Sequence, residues 1–369
     1  MLKTQHPKIG KHPRMTTRPP RTPLRVTRPG LVVPVRVDRS GTGIGPTKAQ
    51  VANDRDWRRT SRGLYVPADV DATLPEQRIV EAGAVLPGHG GVTGWASLRW
   101  QGAIWFDGRT SGGAEKLPVD LAISSQAIRG QQGIVVCQEG IDPRDRVVVD
   151  GLPVTTAVRS AFFMMRHARN LRAAVSALDM AAYSDLVSIE EAWLYADAHP
   201  AWTGVPQARE AIGLADENAW SPTEVSTRLV WVLDAQLPRP LCNHPVFDLR
   251  GNHIGTPDLL DVEAGLVVEY DGALHLAGEQ RATDVRRQEA FRRVGLEYLT
   301  VLSSHLHDRD QTATRMREVR RRALAARPTH PRWTIEPASW WQPTVTVEQR
   351  RALTEEQRDR WLGHRLRAS

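Results

Sequence analysis

The sequence predicts a multidomain α/β protein, and three observations carry that reading. The chain has 369 residues, more than one typical hydrophobic core accommodates. Between residues 221 and 302, apolar runs short enough for buried strands alternate with two helical segments in the order αβββαβ. The residues before that block mix strand-like and helical stretches, which predicts a mixed α+β N-terminal region followed by a helical connector. Apolar content of 41% and charged content of 25% are those of a soluble globular protein. No run of 18 apolar residues occurs, so no membrane-spanning helix is expected. The N-terminus is basic with no apolar stretch behind it, which argues against a secretory signal. Only Cys137 and Cys242 are present, far apart and without a CxxC. That usage excludes a thiolate zinc site and a disulfide framework, and a reducing cytoplasm is the expected location.

Taken in order, residues 1–38 form a basic arm rich in Pro, Arg and Thr, without periodicity, and are expected to be disordered. The formal charge of +7 resides there: residues 1–37 carry nine Lys or Arg and no acid, leaving 40 basic against 42 acidic residues in the remainder. Such an arm can bind phosphates by counterion release, or it is a solvated tail. Met15 is an alternative start to Met1. Leu31–Val37 fits a short strand. GTGIGPTK at 41–48 lacks the GxxxxGK[ST] spacing of a phosphate loop and has no strand leading into it.

Residues 39–150 are the mixed α+β region, with a winged-helix-like start. A short helix after Pro46 is followed by WRRTSRGLYVP, in which Arg58, Arg59 and Arg62 precede a turn at Gly63. In a winged helix such a hairpin sets arginines against phosphates; the alternative is an ordinary surface hairpin. A helical stretch around Ile79–Val85 leads through a Gly-rich turn into TGWASLRWQGAIWF. Its apolar surroundings assign Trp95, Trp100 and Trp105 to packing rather than base stacking. Strand-like runs lie at 117–123, 133–137 and 146–149. Residues 151–218 form the helical connector, which GLPVTTAVRSAFFMMRHA opens; Ser188 and Glu191 are spaced as a capping box.

Residues 219–327 hold the αβββαβ unit. SPTEVSTRLVWVLDAQ is an amphipathic helix with Ser221 as N-cap and Pro222 in the first turn. Strands are expected at Val246–Leu249, Ile254–Asp261 and Leu266–Tyr270, the first two joined by a turn at Gly251–Asn252. A helix over Arg281–Val294 stops at Gly295, a strand follows over Leu296–Leu302, and a basic helix spans Thr312–Ala326. Residues 328–369 are a Trp-rich tail with a short helix.

The chemistry concentrates in IGTPDLLDVEAGLVVEYDGALH, Ile254–His275. Two buried-strand runs carry Asp258 and Glu269 at their ends, and adjacent strands bring such ends together. Converging hard oxygen ligands suit Mg²⁺, with Mn²⁺ as a substitute; Asp258 and Glu269, with the Tyr270 carbonyl, are the candidate metal ligands. DG and GNH also serve as ordinary turns. Glu224, on the first helix, reaches the same centre or completes a capping box with Ser221. Asp271 is a further ligand or orients His275, the candidate general base or phosphate contact. Asp284 and Arg287 share a helical face, so Arg287 contacts the phosphate or forms a surface ion pair of little energetic weight.

This order, with PD on the second strand and a carboxylate on the third, resembles the PD-(D/E)XK nuclease fold. In detail residues 221–306 look like the very-short-patch-repair (Vsr-like) branch. The matching residues are Glu224, Asp258, the VVEYDGALH run of Val267–His275, and Asp284 with Arg287. The resemblance implies a restriction-endonuclease-like core and a Mg²⁺-dependent DNA endonuclease, with Asp258, Glu269, Asp271, His275, Glu224 and Arg287 as catalytic candidates. The usual E-x-K is E-x-D here, and the five lysines (Lys3, Lys8, Lys11, Lys48, Lys116) all lie outside the unit. Vsr-like enzymes also do without that lysine. The preceding region resembles AbiEi-like antitoxins of type IV toxin–antitoxin systems, through RGLYVP (62–67), TGWASLRWQG (93–102) and GLPVTTAVRS (151–160). That likeness implies DNA binding through Arg58, Arg59 and Arg62, and a cognate toxin as a partner.

Three functional readings follow from the sequence. The first is an endonuclease acting in repair or mobile-element defence. The second is a non-cleaving, antitoxin-like transcriptional regulator built on a degenerate nuclease fold. The third is an interaction module whose Trp333, Trp340, Trp341 and Trp361 dock a protein partner. The sequence assigns no oligomeric state.

Overall fold

The computed structural model describes residues 24–363 and Arg365, apart from 40, 42, 53, 54, 111, 112, 125–127 and 272–278; over 279–284 it describes the backbone. The basic arm up to residue 23 and His275 lie outside the described residues.

The hairpin expected around Gly63 is present: β1 (Trp57–Ser61) pairs antiparallel with β2 (Leu64–Pro67). Gly63 turns at φ +75°, a conformation that a side chain disfavours. Among the described residues the only helix before it is a 3-10 turn, Gln50–Ala52, so the helix expected after Pro46 is reduced to one turn. Leu31–Val37 likewise contributes one bridge, Val35 to Tyr65, instead of a strand.

Next come α1 (Pro75–Gly83), β3 (Gly91–Thr93), α2 (Gly94–Trp100), β4 (Val119–Ala122), β5 (Ile134–Cys137), β6 (Arg146–Val149) and β7 (Leu152–Thr155). The sheet order is β5-β4-β3-β7-β6, with parallel and antiparallel neighbours. GLPVTTAVRS therefore begins as a strand and turns helical only at Ala157. Pro153 has no N–H for a helix, and Val154, Thr155 and Thr156 are β-branched. Position 150/151 falls inside the β6–β7 turn, where Asp150 (φ 46°) and Gly151 (φ 79°) are both left-handed. Helices α3 (Ala157–His167), α4 (Leu171–Tyr183), α5 (Ile189–Ala198) and α6 (Val205–Leu214) share one apolar core with this sheet. The expected capping box at Ser188 and Glu191 starts α5. Trp95 and Trp100 are buried, and their indole N–H groups donate to the carbonyls of Pro118 (2.7 Å) and Val149 (2.8 Å).

The C-terminal unit opens with α7 (Pro222–Leu229), which continues as a π-helical turn, Val230–Asp234. Strands β8 (Leu241–Cys242), β9 (Val246–Asp248), β10 (His253–Gly255), β11 (Leu259–Asp261) and β12 (Leu266–Asp271) follow, then α8 (Glu279–Arg293), β13 (Glu297–Leu302) and α9 (Arg309–Ala326). The single strand expected over Ile254–Asp261 is divided. Pro257 cannot donate to a ladder, and across Thr256–Asp258 the chain changes sheets. β9 and β10 join β14 (Trp333–Thr334) in one three-stranded sheet, while the main sheet runs β13-β12-β11-β8. Among the described residues of this four-stranded sheet, β12 and β13 are the parallel pair.

Side chains alternate across that sheet with period two. Leu259, Leu266, Val268, Leu299 and Val301 face Val230, Trp231 and the apolar stripe of α9. Leu260 and Val267 face Phe291 of α8, with Leu296 and Trp333. The tail packs against the body of the molecule: Trp341 stacks edge-on with Phe247 (5.2 Å between centroids) and Trp361 (4.9 Å). Helices α10 (Val347–Arg351) and α11 (Glu355–Leu362) lie against the connector. There the fully buried Arg350 donates to Asp185 and to the carbonyls of Ala182 and Glu217. Among the described residues no helix is long and apolar enough to cross a membrane.

Candidate functional site

One residue beyond the last ladder pair of β11 and β12, Leu259 with Val268, stand Asp258 and Glu269. The sheet change at Pro257 leaves Asp258 at the strand mouth, where its Oδ2 accepts the Tyr270 N–H at 2.6 Å. Glu269 shares a face with Val267, towards α8, and is buried. Arg287 of α8 meets it with both Nε (3.2 Å) and Nη2. Arg287 thus makes a two-pronged contact with a candidate ligand, in the fork geometry that a guanidinium favours. The Asp284 side chain is outside the described residues.

Glu224 enters from the first turn of α7. Ser221 caps the helix, accepting the Glu224 N–H at 3.2 Å. The Glu224 carboxylate does not reach back to the cap residue's own N–H. Instead it accepts from the Trp220 N–H (2.8 Å), the Ser221 hydroxyl (2.9 Å) and the Asn243 Nδ2 (2.7 Å). Burial pushes the Glu224 carboxyl up from its ordinary range, and the Asp258 charge pushes it further, against those hydrogen bonds. Burial also raises Asp258, while the Tyr270 N–H and Arg287 pull it down. Two carboxylates of one sign in one enclosed place resist ionising together. Arg287 is held in its charged form by Glu269 and Asp258 in spite of burial.

The helix that carries Glu224 is fixed from behind. Arg228, one turn on, is buried and donates to Asp179 of α4 (2.5 Å) and to the Leu214 carbonyl. Asp271, at the end of β12, pairs in register with Leu302 and is half-buried.

Asn243 was not marked by the sequence. It sits just after β8 in a left-handed conformation (φ 43°), which asparagine tolerates better than most residues. Its N–H donates to the Asp258 carbonyl (3.0 Å), and its Nδ2 bonds both Glu224 and the Asn218 carbonyl (2.8 Å). Those two acceptors fix which branch of the amide is nitrogen. Its buried Oδ1 has no hydrogen-bond donor among the described residues.

No family model, curated protein or solved structure matches this chain.

Among the described residues, no three His, Cys, Asp or Glu side chains close round a point as a finished metal shell would. Glu269 is turned to Arg287. The donor chemistry nonetheless suits a hard divalent cation: Asp258, Glu224 and Glu269 offer carboxylate oxygens, and Asn243 holds an orphaned buried amide oxygen nearby. A thiophilic ion does not fit, since Cys242 is buried and its thiol is pushed well up by burial.

The hairpin arginines divide. Arg58 is committed to Glu81 of α1 through two hydrogen bonds (3.1 and 2.6 Å), so it braces the hairpin. Arg59 and Arg62 are exposed.

Proposed function

We propose that this chain is a divalent-cation-dependent endodeoxyribonuclease of the PD-(D/E)XK, Vsr-like type, acting in repair or mobile-element defence. The observation that carries the reading is that Asp258 and Glu269 stand beside each other at the ends of paired strands, with the Asp258 charge felt by Glu224 of α7 and Arg287 fixed on Glu269. Asp258 and Glu269 would hold Mg²⁺ or Mn²⁺, with Glu224 beside them. The bound cation supplies charge neutralisation and a polarised water to phosphodiester hydrolysis.

The chain's own groups do the rest. Arg287 leaves Glu269 and neutralises charge developing on the scissile phosphate, in the place of the missing lysine. Glu224, raised by burial and by Asp258, takes up a proton released at the site on Oε1. Asp271 orients groups at the strand mouth, and His275 keeps the general-base or phosphate-contact role assigned from the sequence. Arg59, Arg62 and the basic arm contact the DNA backbone.

The test uses supercoiled plasmid with Mg²⁺ or Mn²⁺, beside Asp258→Ala and Glu269→Ala. Nicking by the wild type that is lost in both variants supports the reading, whereas nicking that survives both removes the assignment.

A second reading is favoured by one observation: Arg287 closes over Glu269, as it would in a site retired from cleavage. The chain would then be an antitoxin-like regulator that binds DNA without cutting it, with a toxin as partner. A gel shift on the DNA upstream of its own gene, unaffected by Glu269→Ala and unaccompanied by cutting, is the matching result.

A further inference from the structure

We propose that the C-terminal segment is part of the candidate site, with Arg365 and Asn218 acting through Asn243 as positioning residues for Glu224. The proposal rests on the reading of Glu224, Asp258 and Glu269 as a cation site. Arg365 is buried, and its Nη2 donates to Asn218 Oδ1 at 2.9 Å across a sequence separation of 147 residues. Its guanidinium lies over the rings of Tyr183 (4.9 Å) and Trp220 (5.4 Å), and its carbonyl accepts the Tyr183 hydroxyl. The residue is therefore held at both ends.

Asn218 carries the contact forward. Its Nδ2 donates to the carbonyls of Cys242 and Asn243, each at 2.9 Å, and its own carbonyl receives the Asn243 Nδ2. The second hydrogen of that Nδ2 goes to Glu224, while the Asn243 N–H goes to the Asp258 carbonyl. One asparagine thus sets the separation of the two carboxylate-bearing elements, and Arg365 fixes that asparagine's partner. The Trp220 indole donates to the same Asn218 Oδ1 at 3.1 Å, and the main-chain N–H of Trp220 donates to Glu224. Every link is buried or half-buried, so none is softened by competing water. A capping role for Ser221 and Glu224 alone would need neither asparagine nor a residue from the far end of the chain.

The experiment measures Mn²⁺ binding to the full chain by electron paramagnetic resonance, with thermal melting as the folding control. Asn243→Gly removes the amide while keeping a residue that accepts the left-handed backbone. Arg365→Ala removes the far brace, Arg365→Lys keeps one donor, and Arg358→Ala cuts another anchor of the same segment that does not touch Asn218. The expected result is tenfold or weaker Mn²⁺ binding in Asn243→Gly and Arg365→Ala, with no further loss in the double variant because both act on one carboxylate. Arg365→Lys should recover most of the binding, and Arg358→Ala should keep all of it. Wild-type affinity in folded Asn243→Gly, or equal losses in Arg358→Ala and Arg365→Ala, overturns the proposal alone. A wild type that binds no Mn²⁺ overturns the cation reading and the proposal with it. Should Arg365→Ala fail to fold, Arg365→Met, which keeps the buried stem and removes the donor to Asn218, decides: wild-type Mn²⁺ binding in that variant overturns the proposal.

Discussion

Removing Arg228 should destabilise the fold far more than removing any surface ion pair. Arg228 and Asp179 are both buried, and the pair joins α4 to the helix that carries Glu224. In Arg228→Ala the Asp179 carboxylate keeps, among the described residues, a single hydrogen bond, from the Asp216 N–H at 2.9 Å. Orphaning one member of a buried pair costs about 3–5 kcal/mol, most of it the penalty of an uncompensated buried charge. For a unit of roughly 150–250 residues, that loss lowers the melting temperature by about 6–20 °C. If the penalty is electrostatic, replacing both members should recover most of it. Asp179→Leu with Arg228→Met is expected within about 1–2 kcal/mol of the wild type. Urea unfolding followed by tryptophan fluorescence reads the unit directly, since Trp95, Trp100 and Trp202 all lie in or against its core. A loss below about 1 kcal/mol in Arg228→Ala, or a double variant as unstable as the single one, would refute the reasoning.

Three further outcomes are expected. Burial pushes the Asp120 carboxyl up to about 6, so the folded chain keeps a proton that the unfolded chain releases. Its contribution is full below about pH 4 and is lost as pH rises to about 6. Asp120→Asn should therefore match the wild type near pH 3.5 and exceed it at pH 7 by up to about 3 kcal/mol in denaturant titrations; equal stability at both pH values would contradict this. A Cβ at Gly255 would sit 2.7 Å from Phe291 Cζ, against a ring with no room to yield, so Gly255→Ala should cost about 1–3 kcal/mol in urea unfolding. Asp185 accepts from both Arg350 and Arg358. In Asp185→Ala, limited trypsin digestion should cut the segment after Thr344 first, and an unchanged cleavage pattern would show that other contacts hold it.

How much of this was legible in the sequence depends on how local each signal was. The carboxylates at 258 and 269 follow from short apolar runs that end at polar residues, and Ser221 with Pro222 marks a helix start by its side-chain chemistry alone. The division at Pro257 was available in principle, since a proline interrupts a ladder, but the hydrophobic run through Leu259 and Leu260 masked it. The strand at Leu152–Thr155 was hidden by a helical pattern that begins two residues later. Asn218 and Asn243 lie in segments that read as turns, and asparagine serves turns and carboxylate clamps equally well. Nothing local connects Arg365 to either of them; that contact exists only once the tail folds back on α4. Of the tail tryptophans that suggested a docking surface, Trp340 and Trp341 meet Phe247 and, with Trp361, each other, while Trp340 stays exposed.

The central claim, that Asp258 and Glu269 hold a divalent cation with Glu224 beside them, is tested most directly by calorimetric titration of Mg²⁺ into the full chain at several pH values. Both Glu224 and Asp258 are raised and carry protons above the ordinary carboxylate range, and a bound cation must displace those protons. The account predicts one site, proton release on binding, affinity that climbs as pH rises through neutrality, and loss of tenfold or more in Asp258→Ala. Affinity independent of pH, or unchanged in Asp258→Ala, would contradict it.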